Sequence, residues 1–189
     1  MRVYLAGPEV FLPNARIILD LKGSLTRSAG FEPVSPGDVA IDTMPDKHEL
    51  GLAISVVNER LMKSADAIIA NLTPFRGISA DAGTVYELGF MCGQGKLAFA
   101  YTNLADDYFL RTVAYYGGKV ITGLDGRNRG HDGLSIENFD MVDNLMVDGG
   151  IDSCGGSIVR GNVAPEERYT NMRAFKECLK MVALSFGVS

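Results

Sequence analysis

The chain is short of cysteine and histidine and has no tryptophan. Its 189 residues hold three cysteines, Cys92, Cys154 and Cys178, and two histidines, His48 and His131. An odd number of widely spaced cysteines, with no Cys-x-x-Cys pair, argues against a disulfide framework and against a structural zinc site. Free thiols fit a reducing compartment, and the three read as packing residues. An excess of positive charge is also missing: 18 Lys and Arg stand against 23 Asp and Glu, for a net charge of −5. Binding to a phosphate backbone needs clustered cations. The longest basic cluster is Arg127 with Arg129, so no nucleic-acid partner is expected. No apolar run approaches the roughly 20 residues that cross a bilayer. The opening Arg2-Val3-Tyr4-Leu5-Ala6 reads as a strand rather than a signal peptide, and a cytoplasmic protein without a membrane partner is expected. Gly-x-Gly-x-x-Gly and Gly-Lys-Ser/Thr are both absent, which removes support for dinucleotide and triphosphate cradles. No nucleophile elbow serves Ser-His-Asp chemistry. No metal is expected.

What is present is ordinary for one globular domain spanning 1–189: 47% hydrophobic and 22% charged residues. Val3 to Ala6 reads as a buried strand that stops at Gly7-Pro8. From Pro13, apolar residues at Ile17, Ile18, Leu21 and Leu25 keep helical spacing up to Gly30. Phe31 to Val34 is a second strand, followed by Ser35-Pro36-Gly37 and a polar loop with Asp38, Asp42 and Asp46. A second helix is expected from about Glu49 to Ser64, with Leu50, Ile54, Val57 and Leu61 on its apolar face. Asp66 to Leu72 is the clearest buried strand, Gly83 to Gly93 a third helix, and Lys96 to Tyr101 a fourth strand. Val120-Ile121 is read as a fifth strand, Gly123 to Gly133 as a mobile surface loop, and Ile136 to Val147 as a short helix. A long closing helix is expected from about Val163, with Met172, Phe175, Leu179, Val182 and Phe186 on one stripe. Strand and helix alternate from the start, which predicts an α/β fold with a parallel sheet and helices on both faces. Such sheets bind ligands at the carboxyl ends of their strands. The loops after Ala6, Val34, Leu72 and Tyr101 are therefore the places to look for chemistry.

The loop and helix after the third strand carry two carboxylates, Asp81 and Glu87. Six helical residues span about 9 Å, room for a sugar and the start of a base. Near a helix N-terminus Glu87 should be ionised. An ionised carboxylate can attack a sugar carbon while a second one handles a proton. The plainer reading makes Asp81 an N-cap and Glu87 a solvated helix residue. Gly7-Pro8 lets a ligand approach the backbone, or is only a tight turn. Phe11 either stacks on a planar base or fills the core. Tyr4 is either a core residue or one whose hydroxyl finds a carboxylate.

Several segments together resemble one family. Tyr4-Leu5-Ala6-Gly7-Pro8, Ala65-Asp66-Ala67-Ile68-Ile69-Ala70-Asn71-Leu72 and Asp81-Ala82-Gly83-Thr84-Val85-Tyr86-Glu87-Leu88-Gly89 resemble the nucleoside 2-deoxyribosyltransferases. Gly95-Lys96 and Glu137-Asn138-Phe139-Asp140-Met141-Val142-Asp143-Asn144-Leu145-Met146 extend the match in order. The resemblance implies a flavodoxin-like doubly wound sheet of about five strands and a double displacement without a cofactor. In that chemistry Glu87 attacks the anomeric carbon of 2-deoxyribose and expels the base, and a second base then takes the sugar. Asp81 would handle the base and its proton, and Tyr4 would orient Glu87. Gly7, Pro8, Phe11, Asn58, Gly83 and Met146 would contact substrate. Asn144 would reach the sugar 5′-hydroxyl in a neighbouring subunit's site, which implies a homo-oligomer. The partners implied are deoxynucleosides and free nucleobases.

Two features depart from the family pattern. Asn58 stands where some branches carry Asp, which bears on the bases accepted. The tail after Gly149, with Cys154-Gly155-Gly156 and the closing helix, is longer than in the smallest members and should pack on the sheet or at a subunit contact. One alternative is an N-glycosidase acting on deoxynucleoside 5′-monophosphates with water as acceptor. Asp143, beside Asn144, would repel that phosphate and so favours the free nucleoside. A non-catalytic nucleoside sensor is another alternative, as is a plain flavodoxin-like interaction domain.

Overall fold

Val3 to Ala6 and Ala67 to Asn71 are buried on both sides, so each becomes a central strand with helices above and below it. The computed structural model describes residues 1–41 and 44–187; Asp42 lies outside the described residues. In chain order the first half is β1 (Arg2–Ala6), α1 (Ala15–Ser28), β2 (Glu32–Val34), α2 (Lys47–Ser64), β3 (Ala67–Asn71), α3 (Ala82–Cys92) and β4 (Leu97–Thr102). Then come α4 (Tyr108–Tyr115), β5 (Ile121–Thr122), β6 (Asn128–Arg129), β7 (Ser135–Ile136), α5 (Leu145–Ser153), β8 (Ile158–Arg160) and α6 (Arg173–Phe186). A 3-10 turn, Pro8–Phe11, follows β1 directly.

The main sheet has five strands in the order β2-β1-β3-β4-β8, and every pairing is parallel. The chain enters at β1, steps to the edge at β2, then crosses back to β3. The loops after β1 and β3 therefore leave a crevice between them, the position where ligands bind in such sheets. Strand alternation sorts the core into two layers. Tyr4, Ala6, Ile68, Ala70, Ala98 and Ala100 face α2, α3 and α5. Val3, Leu5, Ile69, Phe99 and Tyr101 face α1 and α6.

The second half of the chain departs from the sequence-based expectations. Ile121–Thr122 does not join the main sheet. It pairs with β6, which pairs with β7, in a small antiparallel sheet where Ile121 is 72% exposed. The fifth strand is β8, only three residues long. Its approach needs Gly156, where a Cβ would sit 1.6 Å from the Ala98 carbonyl oxygen. The Gly123 to Gly133 stretch is not a bare loop but a pair of hairpin turns closed by Gly123 N–H to Arg127 O and Gly130 N–H to Leu134 O. The helix expected over Ile136 to Val147 starts later, at Leu145, behind an Asn144 cap. The closing helix starts at Arg173 rather than Val163 and lies on the sheet, burying Phe175, Cys178, Leu179 and Val182. On α1 the buried stripe is Ile18, Lys22, Gly23 and Thr26, while Ile17 is 69% and Leu21 42% exposed.

Candidate active site

The segments that follow β1, β2 and β3 line a cleft of about 360 Å³. β1 ends at Gly7, and the 3-10 turn beyond it presents Val10 and Phe11. The loop after β2 adds Pro36 and Gly37, and α2 adds Ile54 and Asn58. The start of α3 adds Asp81, Gly83, Thr84 and Glu87. Six of the expected site residues therefore meet: Gly7, Phe11, Asn58, Asp81, Gly83 and Glu87. Tyr4 lies buried beneath them, and its hydroxyl donates to Glu87 Oε1 at 2.7 Å. Pro8 is buried behind the turn and does not line the cleft. Asn144 and Met146 also lie outside the cleft of their own chain. Asn144 caps α5 and donates to Glu137 Oε1 at 2.6 Å, and Met146 is 73% exposed.

Asp81 caps α3 through one oxygen and leaves the other without a donor among the described residues. Its Oδ2 accepts from the Thr84 N–H at 2.9 Å and the Thr84 hydroxyl at 3.1 Å. Phe11 is 53% exposed and stacks on Phe75 with centroids 5.4 Å apart, so it is a rim residue and not core.

Glu87 corrects the expectation of a carboxylate ionised by the helix dipole. Burial pushes its pKa up to about 7, and the charge on Asp81 adds to the rise. The Tyr4 hydroxyl and the Lys22 ammonium oppose it. Desolvation outweighs the N-terminal field of α3 because the carboxyl is largely removed from water. Burial and the Glu87 charge push the Tyr4 hydroxyl far above the ordinary tyrosine range, so it stays protonated and remains a donor. Tyr4→Phe removes the donor that stabilises the Glu87 anion. The Glu87 titration is expected to move above 7, and any reaction needing the anion to slow about tenfold at neutral pH. A pH–rate profile of the variant checks this.

Two buried clusters were not foreseen. Glu9, 1% exposed, sits in the 3-10 turn and pairs with Lys22, which is fully buried. The helical stripe through Ile18, Lys22 and Thr26 is the sequence signal that could have found it. The second cluster surrounds Asp143, 1% exposed, which accepts from the Ser79 hydroxyl, Ala80 N–H at 2.8 Å and Asn144 N–H at 2.9 Å. Arg111 stands 3.6 Å from it. Asp143 is thus a clamp between residue 144 and the loop entering α3. Its charge is buried and paired, so it gives no reason to exclude a phosphate.

A family model for nucleoside 2-deoxyribosyltransferase matches residues 3–146. The chain belongs to this family. The matched range contains every residue of the cleft and ends at Met146, so β8 and α6 lie beyond it. An uncharacterised protein of Schizosaccharomyces pombe is 32% identical over 167 residues, which are 82% of this chain and 79% of that protein. Among solved structures, a 2-deoxyribosyltransferase from Leishmania mexicana superposes with a TM-score of 0.63 at 28% identity, covering 95% of this chain and 97% of that one. A conserved protein from Enterococcus faecalis shares the fold, with a TM-score of 0.54 at 18% identity over 96% of this chain and 98% of its own. The family and the Leishmania mexicana structure support a deoxyribosyltransferase-like enzyme, built on the five-stranded parallel sheet.

Proposed function

We propose that the enzyme transfers 2-deoxyribose between nucleobases by double displacement, with Glu87 as the nucleophile. One observation carries this reading: the Glu87 carboxyl lies in the cleft with one oxygen held by the Tyr4 hydroxyl at 2.7 Å. The other oxygen attacks the anomeric carbon. The new C–O bond forms as the C–N bond breaks, and the electron pair leaves with the base, which takes up a proton handled by Asp81. Attack by a nitrogen of a second base reverses the steps and frees Glu87. Burial assists this cycle. A desolvated carboxylate is a costly anion, and forming the neutral glycosyl ester relieves that cost. Gly7 and Gly83 let the sugar approach the backbone, while Phe11 and Asn58 meet the base. Asn144, outside its own cleft, serves the cleft of a neighbouring subunit in a homo-oligomer.

The test is to incubate a deoxynucleoside with a different free base. Formation of the exchanged deoxynucleoside is expected; release of neither base nor product would refute the reading. With Glu87 titrating near 7, kcat/KM should be flat at alkaline pH and fall about tenfold per pH unit below 7. Rates measured from pH 5 to 9 check this.

A second reading keeps the same glutamate but uses water as acceptor and a 5′-monophosphate as substrate. One observation favours it. The Arg76 guanidinium stands over Phe11 and Phe75 at 5.0 and 4.7 Å, with no carboxylate partner among the described residues. Turnover of a deoxynucleoside beside that of its 5′-monophosphate, with and without acceptor base, separates the two readings.

A further inference from the structure

A fully buried lysine is unusual in a layer otherwise built from Val3, Leu5, Ile69, Phe99 and Phe175. Lys22 reaches that layer from α1 and places its ammonium 2.9 Å from Glu9 Oε1, over the rings of Phe175 at 5.0 Å and Tyr101 at 5.6 Å. The same Glu9 oxygen accepts from Asn71 Nδ2 at 3.0 Å and from the Tyr101 hydroxyl at 3.0 Å. Removing two charges from water is expensive, and apolar side chains of similar volume usually stabilise a core as well or better. The pair's placement points to a different use.

The three donors come from three elements: Lys22 from α1, Asn71 from the end of β3 and Tyr101 from β4. Glu9 itself sits in the turn whose neighbours Gly7, Val10 and Phe11 form one wall of the cleft. Asn71 passes the connection on: its Oδ1 accepts from the Thr73 N–H at 3.0 Å, at the start of the loop that leads to Asp81. The Thr73 hydroxyl in turn accepts from the Asn103 N–H at 3.1 Å. A single carboxylate thus fastens the cleft wall to the ends of β3 and β4. The groups facing Glu87 are the Tyr4 hydroxyl from β1 and Asp81 from the start of its own helix; α2 presents the uncharged Asn58.

We propose that Glu9 and Lys22 are a positioning pair for the active site: Lys22, with Asn71 and Tyr101, holds the Glu9 carboxyl, and Glu9 so held locks the Gly7–Phe11 wall of the cleft onto the sheet. This rests on the reading of Glu87 as the reacting carboxylate. Neither residue touches substrate, and both act through the groups they hold.

The experiment compares Glu9→Ala, Glu9→Gln and Lys22→Met with wild type in the full chain. KM and kcat of base exchange are measured, and binding of a deoxynucleoside is measured without turnover in a Glu87→Ala background carrying the same changes. Glu9→Ala is expected to raise KM and weaken binding about tenfold, and Lys22→Met to do the same to a smaller degree. Glu9→Gln, whose amide oxygen can still take the Asn71 and Tyr101 donors, is expected to recover part of the loss, with kcat changing less than KM throughout. Loss of thermal stability with KM and binding unchanged would overturn the proposal. Weakened binding in a protein without exchange would refute the glycosyl reading and leave the pair. Exchange with KM and binding unchanged in Glu9→Ala would refute the pair and leave the glycosyl reading.

Discussion

Replacing Glu87 with Gln is expected to reduce base exchange by at least about a thousandfold, because the amide oxygen cannot form the glycosyl ester. KM should change little, since the amide is isosteric and can still accept from Tyr4. The same variant carries a second signature. Glu87 titrates near 7 in the folded chain, above the ordinary carboxylate range it has when unfolded. The folded state therefore holds the proton more tightly, and stability falls as pH rises through the interval between the two values. The Gln variant escapes this loss. Its thermal midpoint should exceed that of wild type by a few degrees at pH 8 and match it near pH 4, as a pair of melting curves can show. A variant with wild-type turnover would remove Glu87 from the chemistry. Equal melting points at both pH values would show that the carboxyl is not desolvated.

The largest structural effect is expected from Gly7→Ala. A Cβ at Gly7 would sit 1.9 Å from Glu9 Oε2 and 3.0 Å from Asn71 Cβ. Relief requires the Glu9 carboxyl to move, which loosens its bonds to Lys22, Asn71 and Tyr101 together. A buried lysine without its partner costs about 3–5 kcal/mol. For a chain of this length the melting temperature should fall by roughly 10 °C, with exchange lost as the cleft wall shifts. Circular dichroism melting and the exchange assay read the two parts. An alanine variant as stable as wild type would mean that the turn accommodates the methyl group without moving Glu9.

The first half of the fold was legible in the sequence because its strands are unbroken apolar runs. Val3 to Ala6 and Ala67 to Asn71 are buried on both faces, and the glycine and proline that follow β1 mark its end. The site followed from the same legibility. Asp81 caps, and Glu87 stands on, the helix that follows the strongest strand, and the Tyr4 hydroxyl meets Glu87 from the neighbouring strand. The second half was less legible for physical reasons. β8 contributes only Ile158, Val159 and Arg160, too few for an alternation to show, and its entry depends on a glycine packed against a backbone carbonyl. Ile121 stood out as an apolar residue, yet it sits on an exposed hairpin strand. On α1 the apolar residues marked the buried stripe only in part: Ile18 and Leu25 pack on the core, Ile17 and Leu21 do not, and the stripe includes Lys22, charged and satisfied by a partner thirteen positions away. The protonation state of Glu87 was likewise out of reach. The helix dipole can be read from position in a sequence, while desolvation depends on what the rest of the chain packs around the carboxyl.

The reading and its rivals divide on a single bond, between an oxygen of Glu87 and the anomeric carbon of the sugar. Intact-mass analysis after rapid acid quench, with a deoxynucleoside supplied and acceptor base withheld, measures it directly. The expected result is a protein population heavier by one 2-deoxyribosyl group, located by peptide mapping to the segment containing Glu87 and absent from Glu87→Gln. Base exchange that proceeds with no such adduct, or with the sugar on another residue, would contradict it.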